Sequence, residues 1–189
     1  MATTAVEHGF DRALIEEAAR KSALVWVRGP EGPARPLWHV WHDGALWLVG
    51  GAGEQPLDGL GLVPGGRATV SCRSKDKGGR LVVWAAEVAE PERGDPSWAP
   101  AVAELAGKRL NAPDTAALAD RWAAECTVLR LAPVGEPLQR PGAMPDDGGA
   151  AAPLPTPAST RVATPSGLPT RRRTRRGGRQ SSSGSTSSP

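Results

Sequence analysis

Residues 36–50, PLWHVWHDGALWLVG, decide how the rest of the chain is read. Two runs rich in Trp, Leu and Val, Leu37 to Trp41 and Leu46 to Val49, flank His42-Asp43-Gly44-Ala45. Asp-Gly is a preferred pair for a two-residue type I′ hairpin turn. With Asp43 and Gly44 in the turn, Trp41 faces Leu46, Val40 faces Trp47, His39 faces Leu48 and Trp38 faces Val49. Side chains alternate across a strand. One face therefore carries Trp38, Val40, Trp47 and Val49, and the other His39, Trp41, Leu46 and Leu48. Both faces are apolar. A hairpin with a single core to cover would be polar on its other side. One face thus points into a barrel or sandwich, and the other is covered by a helix, a ligand or a second subunit.

Upstream, Asp11 caps a short helix running to Lys21, with Leu14, Ala18, Ile15 and Ala19 toward the core and Glu16, Glu17 and Arg20 toward water. Ser22 to Val27 reads as a strand, ended by Gly29, Pro30, Gly32 and Pro33. Downstream, Gly50 to Gly66 is a Gly/Pro-rich link with one helical turn near Leu57 to Leu60. Arg67 to Ser74 alternates Ala68, Val70 and Cys72 against polar neighbours, the pattern of a half-buried strand, and Leu81 to Val88 returns beside it. Asp95 or Ser97 caps a helix to about Leu110 with the stripe Trp98, Val102 and Leu105. A second helix spans Asp114 to about Ala124 with Leu118 and Trp122. Thr127 to Leu131 is a last strand, stopped by Pro133 and Gly135. Six strands without a repeated βα unit predict a small barrel, mainly β with flanking helices, rather than a doubly wound sheet.

Charge divides the chain. Residues 1–139 hold 15 Lys+Arg against 18 Asp+Glu, whereas 140–189 hold 8 against 2. The folded part is therefore expected to be 1–139. Residues 140–189, dominated by Gly, Ala, Pro, Ser and Thr, are expected to be a disordered basic tail. Its run RRRTRRGGR, Arg171 to Arg179, is suited to electrostatic binding of nucleic acid or is a soluble tail without a specific partner. Met1 to Phe10 lacks the pattern of a secretion signal, and no apolar run is long enough to span a bilayer. A cytoplasmic location is the expectation, with Cys72 and Cys126 as reduced, buried hydrophobes.

Catalytic signatures are scarce. His39 and His42 point to opposite faces of a strand and cannot share a metal. The run Gly50-Gly51-Ala52-Gly53 is followed by Glu54, Gln55 and Pro56, which fails as a dinucleotide fingerprint. Arg73, Lys75, Lys77 and Arg80 crowd one hairpin loop beside Gly78 and Gly79. This is either the best anion site of the domain or a solvated loop balanced by Asp76. The seven tryptophans are mostly core, with a few free to stack on a planar ring.

Taken together, PLWHVWHDGALWLVG at 36–50, the Gly-rich link, TVSCRSKDKGGRLVVWAAEV at 69–88, KRLN at 108–111 and VLRLAP at 128–133 carry a resemblance. From Ser22 to Pro133 the chain resembles the FMN-binding split-barrel superfamily, the pyridoxamine 5′-phosphate oxidase-like proteins and their deazaflavin-using relatives. The resemblance implies a six-stranded split β-barrel, assembled as a homodimer with the cofactor, FMN or a deazaflavin of the F420 type, at the subunit interface. It also implies that an Arg entering the second strand, the residues ending the third, and a basic pair in the next turn hold the cofactor phosphate. Arg35 matches the first, and Val49 and Gly50 occupy the strand end. Gly53 and Glu54 stand where the basic pair would be, and Glu54 would repel phosphate. Arg73 and Lys75 are the compensating cations, and Trp38 lies against the ring. Catalytic residues stay unassigned, since in such a protein the flavin carries the redox chemistry. The function implied is that of an oxidoreductase of a small molecule. The alternatives are a cofactor-free dimeric binding module, which Glu54 favours, and nucleic-acid binding through the tail.

Overall fold

Asp43 and Gly44 both have positive φ, 44° and 67°, the backbone that a type I′ turn demands. The hairpin they close has the expected register, Trp41 opposite Leu46 and Val40 opposite Trp47. A computed structural model describes residues 2–144 apart from 77 and 113, with side chains from residue 9 onward. The tail with Arg171 to Arg179, and Lys77 of the predicted loop cluster, lie outside the described residues. In chain order the elements are α1 (Ala2–Lys21), β1 (Val25–Arg28), β2 (Arg35–Leu37), β3 (Val40–His42), β4 (Ala45–Gly51), β5 (Arg67–Arg73), β6 (Arg80–Ala89), α2 (Trp98–Lys108), α3 (Leu118–Glu125) and β7 (Cys126–Gln139).

All strand pairs are antiparallel, in the order β2-β1-β5-β6-β7-β4-β3. The two edges of this sheet, β2 and β3, are separated in the chain by Trp38 and His39 alone. Two residues span only about 10 Å even when extended, so the sheet must curl until its edges nearly meet. The expected pairs His39–Leu48 and Trp38–Val49 therefore do not form, because the chain leaves β4 at this point to reach β1. The side chain of Gln55 stands in for the lost ladder. Its Oε1 accepts from the Trp38 N–H and its Nε2 donates to the Trp38 carbonyl, both at 2.9 Å. The expected single arm is thus two strands, which makes seven in place of six.

Inward residues of every strand, among them Val27, Leu37, Trp41, Leu46, Val70, Trp84 and Leu131, form one buried cluster. Ile15, Ala18 and Ala19 of α1 join it. Ser22 Oγ ties the end of α1 to the barrel, its single proton shared between the carbonyls of Ala18 and Arg73 at 2.8 and 3.0 Å. The other face of the hairpin, Val40, Trp47 and Val49, packs under Trp98, Val102, Leu105, Leu118 and Trp122. Of the three covers open to that face, the chain's own helices α2 and α3 supply it. Its apolar character thus follows from this one chain.

Several boundaries differ from expectation. The first helix starts upstream of Asp11, which is no cap but a buried carboxylate paired with Arg140 at 2.8 Å. Asp114 does not open α3; it pairs with Arg121 at 3.3 Å. The final strand runs through Pro133 and Gly135 to Gln139. Its first half pairs with β4 and its second with β6, and the β6 register shifts between Val83 and Ala85. Such an irregularity admits residues that lack a ladder donor or need positive φ, as Gly135 does at 67°.

Gly29 ends β1 where the 57–62 loop crosses it. A Cβ there would lie 1.8 Å from the carbonyl oxygen of Leu60, so the backbone itself would have to move. Gly29→Ala is expected to cost about 1–3 kcal/mol in urea unfolding. Gly79→Ala, which meets nothing within 4 Å, should stay within about 0.5 kcal/mol. Equal effects would mean that the Leu60 loop does not seat against Gly29.

Candidate functional site

The sharp turn from β2 to β3 leaves Trp38 and His39 at the rim of the barrel, next to the last turn of α1. There the chain lines a cleft of about 550 Å³. Arg20 and Lys21 enter it from α1, Lys75 from the β5–β6 loop and Lys108 from the end of α2, around Trp38, His39 and Leu110. Arg20 and Lys21 pair along their own helix with Glu16 and Glu17, at 2.9 and 2.5 Å. Lys108 Nζ lies 3.5 Å from the His39 carbonyl. His39 is far more buried than a rim residue, 2% exposed, and its Nε2 shares a 2.9 Å hydrogen bond with the Ala19 carbonyl. Burial pushes its pKa down to about 4; the Ala19 carbonyl opposes this and the Lys108 charge adds to it. His42, on the other face, pairs with Glu104 at 2.7 Å.

Of the predicted site residues, the cleft brings together Trp38 and Lys75. The others lie elsewhere. Val49 is fully covered by the helices. Gly50 lines a separate cleft of about 300 Å³ with Leu57, Gly59 and Thr127. Arg35 lies near that second cleft, its Nη2 3.4 Å from where a Cβ on Gly59 would stand. Arg73 turns outward, its guanidinium 4.8 Å from the ring centroid of Trp26 on β1. Strand alternation would put residues 73 and 75 on one face, but β5 ends at Arg73 and Lys75 belongs to the following turn, where that rule no longer holds. Arg80, the fourth cation of that loop, donates to Gln139 at 3.0 Å.

A second constellation escaped the sequence reading. The side chain of Glu54 has no exposed surface. Its Oε2 accepts from Arg109 Nε at 2.7 Å, and its Oε1 from Arg121 Nη2 at 2.8 Å and Trp122 Nε1 at 3.0 Å. Burial raises the pKa of this carboxyl, but the hydrogen bonds from Arg121, Trp122 and Arg109 outweigh it and hold the group below its ordinary value. Glu54 is therefore not a bare charge facing the turn, as expected, but the common acceptor of α2, α3 and the loop after β4. KRLN at 108–111 was the available signal: its Arg109 had no acidic partner within a helical turn.

Neither thiol is activated. Burial pushes Cys72 up to about 11 and raises Cys126, where the Arg121 charge pulls the other way. Among the described residues no group of three or more His, Cys, Asp or Glu could hold a metal. No helix there is long and apolar enough to cross a membrane.

No protein-family model and no curated protein sequence matches the chain. Among solved structures it is similar to HutZ, the heme storage protein from Vibrio cholerae, at 12% identity and TM-score 0.46, over 66% of this chain and 90% of that one. It is similar to the flavocytochrome Anf3 from Azotobacter vinelandii at 13% identity and TM-score 0.38, over 83% and 88%. It is also similar to an F420 reductase at 12% identity and TM-score 0.35, over 64% and 93%. What decides the architecture is the chain's own topology: one segment, Arg35 to His42, supplies both edges of a sheet whose inward side chains form a single core. The fold is a split barrel. In this split barrel, Trp38 marks the break between the two edge strands, and the cationic cleft opens beside it.

Proposed function

We propose that the protein binds FMN or a deazaflavin in the cleft beside Trp38 and acts as an oxidoreductase of a small molecule. The observation that carries this reading is the cleft itself, where Lys75 and Lys108 accompany an indole at the mouth of the barrel. Ammonium groups attract a phosphate, and an indole offers a face to a planar ring, so the residues present fit such a group. Lys75 and Lys108 would hold the phosphate and Trp38 would orient the ring. The bound ring would supply hydride chemistry that no side chain here can provide. Gly50 lines the separate smaller cleft, with Arg35 near it, and a second copy of the chain in a homodimer would cover that side.

The test is a titration of the full chain with FMN and, separately, a deazaflavin, followed by the visible spectrum and ligand fluorescence. Binding at micromolar concentration is expected, about −8 kcal/mol. The Lys75→Glu, Lys108→Glu double variant should weaken it at least about tenfold. No spectral change with either cofactor at about 100 times that concentration would end the reading.

One observation favours the second reading, a cofactor-free dimeric binding module. The turn after β4, which the family resemblance assigns to the cofactor phosphate, is filled by Glu54, and both nearby arginines are engaged there. That reading predicts a dimer in light scattering and no cofactor binding.

A further inference from the structure

Glu54 has the coordination of a bound ligand rather than of a surface side chain. Two guanidinium groups and one indole N–H converge on its two oxygens within 2.7–3.0 Å, and its side chain is wholly covered. The donors come from the far end of α2 and from α3, whereas Glu54 belongs to the loop following β4. That loop is a strap rich in glycine. Gly51 and Gly53 take φ of 132° and 76°, a backbone other residues rarely adopt, and the Glu54 N–H closes a turn on the Gly51 carbonyl at 3.0 Å. Each arginine also holds the strap's backbone: Arg109 Nη2 donates to the Gly53 carbonyl and Arg121 Nη1 to the Ala52 carbonyl, each at 3.1 Å. Asp114 braces Arg121 from behind at 3.3 Å. The receptor is thus built by the helices and filled by the strap.

We infer that Arg109, Arg121 and the Trp122 indole form an anion-binding site for a carboxylate or a phosphate monoester, occupied in this state by Glu54 as an intramolecular ligand. Guanidinium pairs recognise the planar carboxylate and the phosphate oxygens with the same donor geometry. The tethered carboxylate competes at a high effective concentration, so an outside anion enters when the carboxylate is withdrawn. Without an anion, two half-buried arginines face each other with Asp114, on Arg121, as the remaining counter-charge. Gln55, the next residue, holds the backbone of Trp38 by two hydrogen bonds. Exchange of the anion is therefore linked to the position of Trp38. The site does not rest on the cofactor cleft; it would stand if no flavin bound, and its failure would leave that cleft as it is.

The experiment is chemical rescue in the full chain. Glu54→Ala is expected to melt well below the wild type and to regain at least half of the lost Tm on addition of formate or inorganic phosphate. The rescue should saturate at a roughly tenfold lower concentration than any effect on the wild type, with chloride at matched ionic strength as the reference. Adding Arg109→Met to Glu54→Ala should abolish the rescue. If Glu54→Ala does not fold alone, its recovery of native circular dichroism with formate but not chloride reads the same property, and Glu54→Gln, which keeps the volume, is measured beside it. Rescue that is equal in the wild type, or that survives the loss of Arg109, would overturn the inference, as would a variant that neither anion restores.

Discussion

Trp47→Ala is expected to lower stability by about 3–5 kcal/mol, a large share of what a domain of this size possesses. Trp47 has no exposed surface and lies at the centre of the cluster between the hairpin and the helices α2 and α3. Its indole N–H donates to the His42 carbonyl at 3.2 Å, so truncation removes packing and strips a partner from the turn at once. The cavity would lie in a cluster that also holds Trp98 and Trp122, bulky groups that cannot collapse into it without shifting their helices. Urea unfolding at neutral pH measures the loss. Leu110→Ala, at 76% exposure, is the companion expected to stay within about 0.5 kcal/mol. A loss below about 1 kcal/mol for Trp47 would show that the helices do not seal this face.

Acid should destabilise the protein from about pH 6.5 downward through one buried imidazole. In the folded chain His39 is held neutral down to about pH 4, whereas an unfolded imidazole takes up its proton near 6.5. The unfolded state therefore binds more protons between these values. Stability is complete above pH 6.5, falls as pH drops, and levels off near pH 4, with about 3 kcal/mol lost in all. About 2 kcal/mol of this should be gone at pH 5, above the range in which Glu54 becomes protonated. Urea unfolding at pH 7.5 and pH 5 in the wild type and in His39→Gln separates the contribution of this one group. The glutamine keeps a donor for the Ala19 carbonyl and has nothing to titrate. Parallel losses in the two proteins would place His39 in contact with water. Protonation keeps the bond to the Ala19 carbonyl but sets a buried charge beside Lys108, so it should loosen the wall of the Trp38 cleft on the Lys108 side.

Much of the candidate site was hidden for a geometrical reason. Arg73 and Lys75 are close in sequence, yet one stacks outside the barrel on Trp26 and the other enters the cleft. Lys75 and Lys108, by contrast, both line the cleft although one follows β5 and the other ends α2. Glu54 was legible as an obstacle to phosphate, but its partners lie 55, 67 and 68 residues away in the chain. Nothing in a local window links a loop carboxylate to the end of one helix and the middle of another.

What the amino acids determine by themselves is the hairpin: its turn, its register beside Asp43-Gly44, and the apolar character of both its faces. Those properties arise from steric limits on φ and from alternation along a strand, which act between near neighbours. What covers the second face, where the barrel closes, and which charges Glu54 satisfies were decided by tertiary structure. Each depends on segments brought together only when the sheet curls, and a buried charge or an apolar surface specifies that it needs a partner without specifying which one.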